Sequence, residues 1–202
     1  IGSSTDWDAT ATTSSSQNTQ FAIKKDGQMW GWGDNSQGTL AQSNRTQYSS
    51  PVQVMGYDWR SVSVAINAAA LKNDNTLWMW GNNDGVFRNA FPPSNSPSRN
   101  DPRSSPCQMP GNWSSCKTIQ KNCLAIKFDG TLWAWGHSNE YGELGQNNDT
   151  QYYDPKQIGN SNDWAAGGDM SKIAQGDRCS LAIKTDGTLW SWGSNQYGEL
   201  GH

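Results

Sequence analysis

Charge, histidine and long apolar runs are all scarce in this chain of 202 residues. Only 16% of the residues are charged, and 18 Asp plus Glu nearly balance 15 Lys plus Arg, for a net charge of −3. Such a surface lacks the basic footprint that grips a phosphate backbone, so no nucleic-acid partner is expected. No run of 18 apolar residues exists, and the alternating runs of about five residues are too short for an outer-membrane barrel, so no membrane insertion is expected. The two His, His137 and His202, are far apart in sequence, and the four Cys form no C-x-x-C pair. That removes the usual zinc spacings and leaves no metal site. No glycine-rich phosphate loop lies between a strand and a helix, and no G-x-S-x-G elbow is present. We therefore expect no catalytic residue and no cofactor. Ser, Thr, Asn, Gln and Gly fill the composition instead, as in extracellular and virion proteins with long solvated loops.

What is abundant is Trp, 12 in all, and repetition. One phrase occurs four times: FAIKKDGQMWGWG at 21–33, AALKNDNTLWMWG at 69–81, LAIKFDGTLWAWG at 124–136 and LAIKTDGTLWSWG at 181–193. Each holds two short alternating runs around Asp26-Gly27, Asp74-Asn75, Asp129-Gly130 or Asp186-Gly187. Asp-Gly between such runs predicts a β-hairpin with a two-residue turn, both central residues at positive φ. That turn would pair Ile126 with Trp133 and Leu124 with Trp135, gathering aliphatic and Trp side chains on one face and small ones on the other. A third Trp marks each unit (Trp7, Trp59, Trp113, Trp164), so every Trp is assigned to the core. Tyr141-Gly-Glu-Leu-Gly145 recurs as Tyr197-Gly-Glu-Leu-Gly201, and Pro51-Val-Gln-Val54 as Pro155-Lys-Gln-Ile158: a turn, a loop and a strand leading to the next Trp.

A unit of about 50 residues with several short strands has the length of one propeller blade. The full pattern, W…(L/F)AIK-x-DG-x-(L/M)W-x-WG…YGELG…P-x-Q-(V/I), resembles the repeats of the regulator of chromosome condensation family. The resemblance covers nearly the whole chain. It implies an all-β fold of propeller blades, usually seven to a ring. The family's Gly-x-x-His before the Leu-Ala strand is absent, as in divergent copies from bacteria and their viruses. We read residues 1–202 as a single array, with repeats at about 7–58, 59–112, 113–163 and 164–202 and residues 1–6 in a preceding one. Both ends fall inside a repeat, so a segment of a longer array is expected. A chain that closes the ring with a copy of itself is the second reading.

Other signals are weaker. Cys123 and Cys179 read as small apolar residues, and Cys107 with Cys116 form the one pair considered for a disulfide. Asp and Asn clusters such as 33–38 read as turns rather than calcium loops. The second repeat departs from the pattern: 25 residues separate Trp80 from Pro106 (81 to 105), against 18 between Trp32 and Pro51 (33 to 50). The insertion replaces the Tyr-Gly-Glu-Leu-Gly phrase and carries Phe87, Arg88, Phe91, Arg99 and Arg103, which are the candidate partner-binding residues. The functional expectation is a non-enzymatic protein-interaction or structural scaffold, with protein partners and, as a second expectation, self-assembly, in a virion or cell-surface assembly. The alternatives are a carbohydrate-binding propeller, which needs an open Trp or Tyr in a pocket, and a regulator of guanine-nucleotide exchange.

Overall fold

The computed structural model describes residues 4–8, 14–16, 18–83, 102–119, 121–167 and 170–201. The described residues form four antiparallel sheets in chain order. Sheet one holds β1 (Ser14–Ser15), β2 (Thr19–Ile23), β3 (Met29–Gly33) and β4 (Tyr48–Gln53); sheet two holds β5 (Trp59–Val64), β6 (Asn67–Lys72), β7 (Leu77–Gly81) and β8 (Arg103–Met109). Sheet three holds β9 (Trp113–Ile119), β10 (Asn122–Lys127), β11 (Leu132–Gly136) and β12 (Tyr152–Gln157); sheet four holds β13 (Ile173–Gln175), β14 (Cys179–Ile183) and β15 (Leu189–Gly193). Within each sheet, neighbours in sequence are neighbours in space, so each sheet is one up-and-down propeller blade.

The hairpins fall where the sequence puts them, but their register differs by one residue. Ile126 pairs with Leu132, Ala125 with Trp133 and Leu124 with Ala134. The cause is the turn. Gly130 donates to the Lys127 carbonyl at 3.1 Å and Lys127 donates to the Thr131 carbonyl at 2.9 Å, so three residues close the hairpin. Only Gly130 has positive φ, +80°. This is a type I turn followed by a left-handed residue, the usual three-residue solution. The same bonds recur at Lys24, Lys72 and Lys184, and in the second blade Asn75 takes the left-handed place at φ +68°.

The shifted register re-sorts the faces. Trp133 and Trp135 share a face with Ala125 and Cys123, while Leu124, Ile126, Leu132 and Ala134 occupy the other. Each blade therefore has a Trp face and an aliphatic face, rather than a large face and a small one. The core lies between blades, in three layers. The aliphatic face of blade one (Phe21, Ile23, Met29, Leu40) meets Trp59 and Trp80 of blade two. That of blade two (Leu71, Leu77, Met79, Met109) meets Trp113 and Trp135, and that of blade three meets Trp164 and Trp192. Flat indole faces over branched side chains fill such a layer without voids, and edge-on ring pairs such as Phe21 with Trp80 at 6.1 Å add to it. Blades also join at their first strands, where Thr118 donates to Ser63 Oγ at 3.2 Å and Arg60 donates to the Trp113 and Ser114 carbonyls.

The turn Asp is held by a short relay. Asp129 Oδ1 accepts the Thr131 backbone N–H at 3.0 Å and the Thr131 hydroxyl at 2.6 Å, and Thr131 Oγ1 accepts from Trp133 Nε1 at 2.7 Å. Asp74–Thr76–Trp78 and Asp186–Thr188–Trp190 repeat it. In blade one Gln28 replaces the Thr, and the buried Trp30 Nε1 has no partner among the described residues. Supplying one, with Gln28→Thr, should stabilise the fold by about 1 kcal/mol, read as a raised urea midpoint at unchanged slope; no shift in midpoint would show that Trp30 gains nothing from the hydroxyl.

Candidate functional site

The polar side chains that recur in every repeat are mostly committed to structure. Each Lys of the Ala-Ile-Lys phrase lies between two Trp rings. Lys127 Nζ is 3.7 Å from the Trp133 ring centre and 5.3 Å from that of Trp113. Lys72 sits over Trp59 and Trp78, Lys24 over Trp7 and Trp30, and Lys184 over Trp164 and Trp190. Cation–π attraction fixes the Trp that begins each unit onto its hairpin. Lys24 and Lys184 also pair with Asp6 and Asp163 at 3.0 Å. Sequence reasoning assigned the Trp and missed the Lys. Its fixed place, six residues before the first Trp of the Trp-x-Trp pair, was the available signal.

The loops after β3 and β11, and the one after β15, are stapled from inside. Buried Asn35 accepts the Leu40 N–H at 2.8 Å and donates to the Asn44 carbonyl at 3.0 Å. Asn139 does the same with Leu144, Asn148 and Thr150, and Asn195 accepts from Leu200. Asp34 accepts from the Ser36 N–H and hydroxyl, and from Gln47. These bonds account for the Asp and Asn clusters as turn chemistry, and no group of three or more His, Cys, Asp or Glu placed to hold a metal exists among the described residues. The four Cys are free thiols, so the Cys107–Cys116 pair is not joined. Burial beside Cys116 pushes the Cys123 thiol well up, which keeps it protonated and inert.

Charge in the turns gives the fold a pH dependence of known sign. Hydrogen bonds from Thr76, Thr131 and Thr188 hold the carboxyls of Asp74, Asp129 and Asp186 below their ordinary 3.8, and bonds from Ser36 do so for Asp34. A carboxyl depressed in the folded state stabilises fully above its unfolded value and loses that contribution as pH falls through its folded value. Stability should thus be flat above about pH 5 and decline below about pH 4. Urea midpoints measured across that range check this, and Asp129→Asn should lessen the decline.

Two adjoining hollows open beside the loop that follows β3. One, of about 330 Å³, is lined by Ser16, Asn18, Thr39, Asp34 and Ile66 among others. The second runs along Asn18, Asp34, Gln47 and Tyr48. Neither is lined by Trp, and a third hollow at Lys127 and Asp129 has Phe128 as its aromatic. Hydroxyls, amides and one ionised Asp equip the first two to exchange hydrogen bonds, not to transfer protons near neutral pH. Large apolar side chains left in water among the described residues include Met55, Tyr57, Ile66, Phe128 and Tyr141, and Leu189, Trp190 and Tyr197 on blade four. The expectation that all 12 Trp are core residues fails at Trp190, which is 51% exposed although it shares a face with the packed Trp192.

Of the candidate partner-binding residues, Phe87, Arg88, Phe91 and Arg99 lie outside the described residues. Arg103 begins β8, paired with Gly81.

Sequence models of the regulator of chromosome condensation (RCC1) repeat match residues 26–66, 129–183 and 170–199. The chain belongs to the RCC1 repeat family. Human E3 ubiquitin-protein ligase HERC2 is 32% identical over 88 residues, which is 44% of this chain and 2% of that protein. Among solved structures, human WBSCR16 superposes with a TM-score of 0.77 at 19% identity, over 95% of this chain and 49% of that one. Yeast RCC1 (Prp20), solved with Kap60 bound to it, does so with a TM-score of 0.67 at 20% identity, over 94% and 44%. The chain thus spans about half the length of these RCC1-like structures and a small part of HERC2. The longest stretch that the RCC1 repeat models leave unmatched, 67–128, contains the insertion of the second blade and its Asp-Asn turn.

Proposed function

We propose that this chain is a non-enzymatic protein-interaction scaffold whose partner contact is the connection between β7 and β8, with Phe87, Arg88, Phe91, Arg99 and Arg103 as its anchors. One observation carries the reading. The side chains common to the repeats are consumed by packing, by the Lys–Trp cages and by loop staples, so distinct chemistry is left to the positions where a repeat departs from its siblings. The second repeat departs most, and it does so with aromatic and guanidinium groups, the types enriched where proteins bind one another. Yeast RCC1 binding Kap60 supports a protein-binding role for the fold. The charge-poor, polar composition suits a particle or cell-surface assembly. The carbohydrate reading has less behind it: the second hollow offers one ring, Tyr48, beside Asp34 and Gln47, and Tyr48 also packs against the core between blades one and two.

The test replaces residues 84–101 with the third blade's own loop, residues 137–151, in the source organism. Affinity purification of both forms, with crosslinks mapped by mass spectrometry, should show a partner crosslinked to 84–103 in the parent and lost from the replaced form at equal expression and thermal midpoint. A partner retained equally by both forms would place the contact elsewhere.

A further inference from the structure

The loops after β3 and β11 occupy the same place in their blades, yet the two joints they close are finished differently. Shared bonds fix the equivalence: Asn35 and Asn139 accept from Leu40 and Leu144, and the carbonyls of Thr39 and Glu143 accept from Trp80 and Trp192 of the next blade. Across the joint, Ile66 and Arg178 also correspond, since each carbonyl accepts the N–H that follows its own blade's Trp-x-Trp-Gly, from Asn82 and Ser194. Between blades three and four, Tyr141 and Arg178 meet. The guanidinium lies 5.0 Å from the ring centre, and Nη1 donates to the Tyr hydroxyl at 3.4 Å. Between blades one and two those two positions hold Gln37 and Ile66, and Thr39 stands in place of Glu143. All three side chains are smaller, and the hollow of about 330 Å³ opens at that spot, with Gln37, Thr39 and Ile66 in its walls.

The walls of this hollow select a cation. Asp34, which stands in place of Ser138 of blade three, lines both it and the adjoining hollow. Its carboxylate accepts from the Ser36 N–H and Gln47 on Oδ1 and from the Ser36 hydroxyl on Oδ2, which leaves one of its roughly four acceptor sites open, on Oδ2. Among the described residues no Lys or Arg lines either hollow, so this negative charge faces no cation there. Val64 and Ile66 form an apolar wall that suits a methylene stem, and the amides of Asn18 and Gln37 carry oxygens for further N–H groups. We infer that the hollow between blades one and two binds an arginine side chain of a protein partner, its guanidinium on Asp34 and its methylenes along Val64 and Ile66. A planar fork matches a carboxylate better than an ammonium does, and Arg178 shows a guanidinium seated at the corresponding place of another joint. Both walls belong to four-stranded blades that face each other within the chain, so no preceding or following repeat is needed to form the hollow. The site does not use the β7–β8 connection, and either proposal can fail without the other.

The test is a titration of the isotope-labelled 202-residue chain with the peptide acetyl-Gly-Arg-Gly-amide, followed in amide correlation spectra. Saturable shifts are expected at Asn18, Asp34, Gln37, Thr39 and Ile66, with a Kd of about 1 mM, as suits a single side chain. The citrulline peptide has the same shape without the charge and should bind roughly tenfold more weakly. Gln37→Tyr combined with Ile66→Arg gives this joint the filling of the joint between blades three and four, and should abolish the shifts. Asp34→Asn keeps an Oδ1 for the Ser36 N–H, so the loop stays closed, and should weaken binding roughly tenfold. Both forms should keep the parent's thermal midpoint. No saturable shift up to about 20 mM peptide, equal binding of the citrulline peptide, or parent-like binding by either variant overturns the inference.

Discussion

Trp80→Ala should lower unfolding free energy by about 4 kcal/mol, the upper part of the range for large aromatic residues emptied from a core. Trp80 is fully buried between blades one and two, edge-on to Phe21 and Trp59 at 6.1 Å each. Two losses combine. The ring leaves a cavity that stiff sheets on both sides cannot collapse into, and the Thr39 carbonyl loses its 2.6 Å bond inside that layer. Replacement by Phe separates them, since it keeps most of the volume and drops the N–H. Trp135 provides the control, because it is equally buried and its Nε1 has no partner among the described residues. Trp80→Phe should therefore cost about 1 kcal/mol more than Trp135→Phe in parallel urea titrations. Equal costs would show that the cross-blade bond contributes nothing net.

The second large effect is expected at the glycine that ends each Trp-x-Trp. Gly33 has φ +106°, and a Cβ there would overlap the carbonyl oxygen of Asn18. The close approach has a purpose. It lets the Asp34 N–H donate to that same carbonyl at 2.7 Å, which closes the sheet beside the β1–β2 turn. His137 to Lys121 and Ser194 to Arg178 repeat the bond in blades three and four. The three atoms nearest that Cβ, in Asn18 and Thr19, all belong to the backbone, so no side chain can swing aside. Gly33→Ala should cost about 3 kcal/mol, combining left-handed strain with displacement of the strand. Gly142→Ala isolates the strain, since Gly142 has φ +78° but nothing within 4 Å of the added carbon. It should cost about 1 kcal/mol. Similar losses at both positions would mean that the contact with Asn18 yields easily.

Repeats, strand positions and the turn between each strand pair were legible because each is written in local spacing. The register was not, because Asp-Gly serves two hairpin solutions. All four blades take the three-residue one, and in all four the turn Asp accepts the backbone N–H two residues on, from Gln28 in blade one as from Thr76, Thr131 and Thr188. The Thr hydroxyls add a second bond to that Asp in three of the blades. One residue of slip exchanged the partners of every Trp and hid the division into Trp and aliphatic faces. The Lys–Trp cages escaped for another reason: Lys at a strand end reads as an ordinary solvated residue unless the second Trp, more than ten residues upstream, is known to return to it. The candidate residues of the insertion stood out by contrast with the other repeats, a comparison that needs no coordinates.

The two-faced blade also constrains how such a gene can change length. Each blade offers one kind of surface behind and another in front, so a whole unit spliced in or deleted leaves every remaining junction matched. A splice of half a unit would set like against like. Viable length variants of this protein should therefore differ by multiples of about 52 codons, like links added to a chain whose hooks all point one way.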